Sequence, residues 1–379
     1  MAARFGGWPL SEDPARPAAA GAAEDEIARR KGEHMRLAAS EQHQSGGAGW
    51  SDIHFVHDAL PAVNAAAIDL TTELLGRRLS LPLVIAGMTG GHPDALAVNR
   101  SLARAAESAG IAMGLGSQRA ALRDPRLADT YSVARDAAPT ALLFANVGIS
   151  QLIDQDGEPA LDGDALRSLV VMIRADALVV HLNYLEESVQ PEGQTRAAGS
   201  LDALAAAVRA VDVPVILKET GAGISGAVAR RARDVGVAVV DVGGFGGTSF
   251  ASIEADRAAT AGDTVKARLG RTFGSWGLPT PACVADCAGI LPVIATGGVR
   301  SGLDAAKAIA LGATAVGIGR PMLQAVLTGD VAADSWIAAF AQELRTAVFL
   351  TGGGSLADLA TVPRVVVGPT ADWLAQLGR

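Results

Sequence analysis

From residue 81 onward the chain alternates between short apolar runs and Ala-rich segments of helical spacing. The apolar runs fall at residues 81–88, 112–117, 142–147, 177–183, 214–219, 238–243, 292–296 and 315–319. Segments such as 95–109, 201–211 and 303–310 repeat their apolar positions every three to four residues. Continuous apolar runs joined by amphipathic helices predict buried parallel strands with crossover helices. Eight such units predict an α/β fold, a single (β/α)8 TIM barrel. The interval between the sixth and seventh runs is too long for one helix. Residues 245–276 are therefore predicted to carry an insertion after strand 6, in the position of a functional loop. Residues 334–350 and 355–379 are predicted to form terminal helices and an edge strand.

Ahead of the barrel the pattern differs. Residues 1–23 are rich in Ala, Pro, Gly and Arg without periodicity, and are expected to form a disordered tail. Residues 24–80 are expected to be an N-terminal extension, with a helix over 24–41 and short elements near 53–61 and 68–70. The barrel and its C-terminal helices are assigned to residues 81–379. Forty-four glycines and only 4% aromatics suit tight turns and close helix packing. A net charge of -8 lacks the basic footprint of a nucleic-acid partner. No apolar run approaches the roughly 20 residues needed to span a bilayer. The N-terminus has no charged-then-apolar signal pattern, so a cytoplasmic location without membrane contact is expected. The only cysteines, Cys283 and Cys287, lie four apart and are expected to be core thiols, since a structural metal site needs more ligands.

The chemistry is concentrated where apolar runs end, and in such barrels the C-terminal strand ends carry the site. The fourth run ends in His181-Leu-Asn-Tyr-Leu-Glu-Glu187, a histidine, an amide and two adjacent carboxylates. The seventh and eighth end in Ala295-Thr-Gly-Gly-Val-Arg-Ser-Gly302 and Gly317-Ile-Gly-Arg320, whose glycines allow backbone N–H groups to approach a phosphate. Lys218 ends the fifth run; it could hold the electron-rich edge of a flavin, form a Schiff base, or pair with Glu219. Met88-Thr-Gly-Gly91, Gly116-Ser-Gln-Arg119, Asn146 and Gly243-Gly-Phe-Gly-Gly-Thr-Ser249 end the remaining runs. Arg119 is a candidate phosphate clamp because a guanidinium fork suits phosphate oxygens.

Taken in order, these motifs resemble the type 2, flavin-dependent isopentenyl-diphosphate isomerase family. The resemblance runs from about Arg29 to the region of Trp373. It is carried by Arg30-Lys31-x-x-His34, Met88-Thr-Gly-Gly91, Gly116-Ser-Gln-Arg119, His181-Leu-Asn183, Gln190-Pro-Glu-Gly193, Gly246-Gly-Thr248, Trp276-Gly with Pro279-Thr280, and Gly297-Gly298. It implies a barrel that binds FMN, is primed by NAD(P)H, and in reduced form interconverts isopentenyl and dimethylallyl diphosphate with Mg²⁺ on the diphosphate. Thr89, Ser117, Asn146, Lys218, Thr248, Gly297, Gly298, Arg300, Gly319 and Arg320 would hold FMN. Arg30, Lys31, His34, Ser117, Arg119, His181, Asn183 and Gln190 would hold the prenyl diphosphate. Glu187 would coordinate Mg²⁺, and Glu186, His181 and Asn183 would form the catalytic group. Homotetramers or homo-octamers are expected.

One run departs from the family pattern. After His-Leu-Asn the family carries Pro-Leu-Gln-Glu; here Tyr184 replaces the proline and Glu186 the glutamine. An ionised carboxylate only accepts hydrogen bonds, whereas an amide does both. Three readings follow: Glu186 substitutes for the glutamine or is itself the acid/base; Tyr184 and Glu186 reshape the pocket for a different prenyl or allylic phosphate; or the protein binds FMN and ligand without isomerising. Other FMN barrels oxidise 2-hydroxy acids with a histidine near a late strand end. The seventh strand end here, Thr296-Gly-Gly-Val-Arg300, has none.

Overall fold

A computed structural model describes residues 46–379. Strands β1 (Ile53–Phe55), β2 (Thr72–Leu74) and β3 (Arg77–Leu79) come first. Eight more follow: β4 (Leu83–Ile85), β5 (Ala112–Gly114), β6 (Leu143–Gly148), β7 (Ala177–Leu182), β8 (Val215–Glu219), β9 (Val239–Asp241), β10 (Val293–Thr296) and β11 (Ala315–Ile318). These eight pair in parallel and close into a barrel. Each apolar run read from the sequence coincides with one of them, β6 alone running one residue further, and the expected (β/α)8 barrel is the observed fold.

Side-chain direction along these strands positions the site. Phe144, Val179, Ile216, Val239 and Ile294 share one buried cluster inside the barrel. Ala145, Val180, Leu217, Val240 and Ala295 belong to the other, between sheet and helices. Strand residues alternate faces, so the next position along each strand turns inward again. Those positions are Asn146, His181, Lys218, Asp241 and Thr296. Register makes three of them neighbours: His181 pairs with Lys218, and Lys218 with Asp241. An apolar layer thus fills the barrel and a polar ring closes its C-terminal mouth.

The opposite mouth is plugged by a hairpin that the periodicity did not announce. β2 and β3 pair antiparallel around the turn at Leu75 and Gly76, and Leu74 and Leu79 insert into the interior cluster. The expected edge strand is β12 (Arg364–Val366), which pairs antiparallel with β1 and so ties the segment after the barrel to the one before it. The C-terminal helix begins at Asp330, four residues before its expected start, and runs to Leu350. The expected insertion consists of two helices, Phe250–Thr260 and Thr264–Phe273. Cys283 and Cys287 are buried and unbridged, and burial pushes the Cys287 thiol up to about 12. No helix among the described residues is long and apolar enough to cross a membrane. The expected tail at 1–23 and helix at 24–41 lie outside the described residues.

Candidate active site

Two adjoining cavities open at the polar mouth. The first, of about 210 Å³, is lined by Thr89, Lys218, Thr248, Gly297, Gly298, Arg300, Gly319 and Arg320, among others. The second, of about 160 Å³, is lined by Thr89, Ser117, Arg119, Asn146, His181, Asn183, Glu186, Glu187, Gln190 and Lys218, among others. Thr89 and Lys218 face both. Every site residue read from the sequence within the described region therefore lines one or both cavities. Arg30, Lys31 and His34 lie outside the described residues.

The first cavity is built from glycine turns. Gly297 and Gly298 have φ of 128° and 64°, where a side chain would be strained. A Cβ at Gly298 would also lie 2.5 Å from the Gly246 carbonyl and 2.6 Å from the Ala48 Cβ. The glycines here let the strand-6, strand-7 and N-terminal loops pack backbone to backbone, a requirement the sequence did not display. Trp50 clamps the turn by donating Nε1–H to the Gly297 carbonyl at 3.1 Å. Gly319 is different: a Cβ there would meet only Met88, at 3.6 Å or beyond. It precedes the helix Arg320–Thr328, which has no side-chain cap. Open space at Gly319, with Arg300 and Arg320 on the same cavity, suits a phosphate. This cradle fits the phosphate end of FMN, and Lys218 on the shared wall fits the electron-rich edge of its ring.

Lys218 reaches Asp241 Oδ2 at 3.5 Å and donates Nζ–H to the Glu219 carbonyl oxygen at 2.8 Å. Its ionic partner is thus Asp241, inward-facing on the next strand, and not the Glu219 carboxylate. The Glu219 carboxylate turns away into its own loop, accepting N–H bonds from Gly221 at 2.5 Å, Gly223 at 3.0 Å and Ala222. Burial pushes its carboxyl up to about 7, against those N–H donors and the charge of Lys218. That lies above the ordinary glutamate value of 4.5, so the folded protein keeps a proton that the unfolded chain has released. The resulting stability is complete below about pH 4.5 and is lost as pH rises through about 7. Stability should fall by roughly 3 kcal/mol more across that window in the native protein than in Glu219→Gln. Melting curves of the two proteins from pH 4 to 8 check this; parallel profiles would refute it.

The second cavity holds the acid–base groups. Asn146 donates Nδ2–H to the Leu115 carbonyl at 2.7 Å, which fixes the orientation of its amide. Its Oδ1 then faces His181 Nδ1 at 2.7 Å, so Nδ1 carries a proton and donates it to the amide oxygen. The carboxamide of Asn146, assigned from the sequence to the cofactor, bridges the Leu115 carbonyl and His181 while lining the second cavity.

Glu186 and Glu187 stand in the first turn of the helix Tyr184–Val189, where acidic side chains complement the exposed N–H groups. The insertion buttresses this short helix: Lys266 donates Nζ–H to the Ser188 carbonyl at 2.7 Å. Glu187 accepts from Asn183 Nδ2 at 2.9 Å and from the Gln194 backbone N–H at 2.7 Å. Asn183 Oδ1 is buried with no hydrogen-bond partner among the described residues. Hard oxygen donors, one of them uncommitted, fit Mg²⁺, which takes few protein ligands and completes its shell with water and phosphate. The described residues contain no cluster of three or more His, Cys, Asp or Glu that could bind a metal by itself.

Tyr184, which one of the three readings has reshaping the pocket, lines neither cavity; its hydroxyl meets Ser200 Oγ at 2.7 Å. Lining or supporting groups given no role from the sequence include Asp241, Thr296, Gln151 and Gln194. Their polarity at the ends of β9 and β10 could have found the first two. Nothing local marks the glutamines.

Fold and site together define an FMN-binding barrel: residues 29–124 and 181–364 match the family model of FMN-dependent dehydrogenases. A mandelate oxidase structure superposes with a TM-score of 0.58 at 22% identity, covering 92% of this chain and 99% of that one. A Pediococcus acidilactici protein described as a lactate oxidase gives 0.62 at 17%, covering 91% and 94%. At such identities these likenesses speak for the fold alone. The chain belongs to the isopentenyl-diphosphate delta-isomerase family. It is 44% identical over 346 residues to that enzyme from Archaeoglobus fulgidus, covering 91% of this chain and 98% of the relative. The enzyme from Methanothermobacter thermautotrophicus is 45% identical over 355 residues, covering 93% and 97%.

Proposed function

We propose that the chain interconverts isopentenyl and dimethylallyl diphosphate, with reduced FMN in the first cavity and the prenyl diphosphate with Mg²⁺ in the second. The observation that carries this reading is the shared wall: Thr89 and Lys218 line both cavities, so two ligands would meet face to face there. FMN, once reduced by NAD(P)H, would supply proton-exchange chemistry there. Isomerisation adds a proton to one terminal carbon of the C=C–C unit and removes one from the other, so atoms and electrons balance without net oxidation.

The chain's own residues supply the rest. Arg119, His181, Asn183 and Gln190 bind the diphosphate, with Arg30, Lys31 and His34 contributing from the N-terminal segment. Glu187 holds Mg²⁺ against it. Glu186, on the same cavity wall, exchanges the proton, and a carboxyl group there can both donate and accept over one cycle. The substitution of Glu186 for glutamine also supports a second reading, action on a related allylic phosphate. Assembly as a homotetramer or homo-octamer accompanies either reading.

A yellow protein with a flavin spectrum tests the cofactor. Reduced holoenzyme with isopentenyl diphosphate and Mg²⁺ in deuterated water, followed by NMR, tests the reaction. Deuterium should enter the methyl group of the dimethylallyl product. No incorporation, with FMN fully bound, rules out the first reading.

A further inference from the structure

We propose that Glu158 is a charged placeholder on the anion clamp: it occupies the Arg119 guanidinium until a diphosphate displaces it. The inference rests on the reading that Arg119 binds the substrate diphosphate.

Glu158 stands at the end of a small loop closed by the Gln155–Glu158 bridge, outside the barrel wall. Its carboxylate is divided between two arginines of one helix, Arg119–Arg123, whose positions i and i+4 share a face. Oε2 takes Arg119 Nη2 and also accepts Gln194 Nε2–H at 2.7 Å; Oε1 takes Arg123 Nη2. Arg119 Nη1 in turn donates to Gln194 Oε1 at 3.2 Å, and the Gln194 backbone N–H is held by Glu187. Partial burial opposes the charge on Glu158, but Arg119 and the donors from Arg123 and Gln194 hold its carboxyl below the usual carboxylate range. It is therefore ionised at neutral pH.

A carboxylate and a phosphate compete for the same guanidinium edge, and both are negative. A diphosphate arriving at Arg119 meets Glu158 as a like charge a few ångströms away, which costs affinity. Arg123 gives the carboxylate somewhere to go. It lies outside both cavities, is partly exposed, and already holds the other oxygen, so Glu158 can leave Arg119 without losing its ion pair. The loop then sets how much free energy a ligand must bring to engage the clamp. A monoanionic or weakly charged ligand displaces Glu158 poorly, and a diphosphate displaces it well.

The test is titration calorimetry of inorganic pyrophosphate into the full-length, FMN-loaded protein at fixed Mg²⁺. Glu158→Gln and Glu158→Ala should each bind pyrophosphate about three- to tenfold more tightly, the scale of one removed like charge at a partly screened site. The substrate KM should fall in parallel. Flavin absorbance shows that each variant retains its folded barrel. Unchanged or weaker pyrophosphate binding in both variants overturns the proposal and makes Glu158 a support of the clamp. Arg119→Gln separates this from the underlying reading. Loss of pyrophosphate affinity in Arg119→Gln with no gain in the Glu158 variants refutes the placeholder alone. Unaltered affinity in Arg119→Gln removes the clamp itself. In an Arg119→Gln background, the gain from Glu158→Gln should disappear.

Discussion

Glu187→Gln should lower kcat/KM for the isomerisation by about 10³-fold while the protein stays yellow. The magnitude is that of losing a metal's charge stabilisation on a bound phosphate, several kcal/mol. The reason is local. Glu187 is almost fully buried and gathers the Asn183 amide and the Gln194 N–H around its carboxylate. Glutamine keeps the shape but removes the charge that a hard cation requires, and it brings an NH₂ group toward donors that need an acceptor. FMN binding is expected to persist, because Glu187 lines only the second cavity. The check is Mg²⁺ dependence: activity in the variant should no longer saturate with Mg²⁺ in the range that saturates the native protein. A variant with native Mg²⁺ response would move the cation elsewhere.

The second large effect belongs to Glu186. Glu186→Leu removes the exchangeable proton and should lower kcat by about 10²- to 10⁴-fold, the usual worth of a positioned acid–base group, with pyrophosphate affinity maintained. Glu186→Gln is the more informative variant. If Glu186 fills the role that glutamine has in the family, Glu186→Gln should retain or exceed native activity on isopentenyl diphosphate. If the native protein is inactive on that substrate and Glu186→Gln acquires activity, the residue sets substrate choice. Rates of both variants and the native protein, each reduced and with Mg²⁺, decide between the two. Tyr184 lines neither cavity and its hydroxyl is held by Ser200, at the start of the helix Ser200–Ala210, so it forms no part of the pocket wall.

Some of this was open to a reader of the sequence and some was not. The apolar runs gave the strands because a strand buried on both faces has to be apolar at nearly every position. The same continuity concealed which residues face inward: in Val179-Val180-His181 nothing distinguishes the lumen side from the helix side until the barrel closes. Asn146 was legible as a site residue but not as the group that orients the His181 ring, since that depends on the Leu115 carbonyl just past β5. Lys218 was legible as a buried cation, yet its partner proved to be Asp241 across the register and not its neighbour Glu219.

The sequence by itself determined the barrel, the mouth at which chemistry collects, and the residue types gathered there, because these follow from period, strand-end polarity and motif order along one chain. Only the tertiary structure decided that the site divides into two cavities sharing Lys218 and Thr89, that Tyr184 points away, and that Glu158 sits on the Arg119 clamp. Those are relations between residues far apart in the chain. They are set by strand register, loop packing and the alternation of side chains across a closed sheet, none of which is fixed until the strands have found one another.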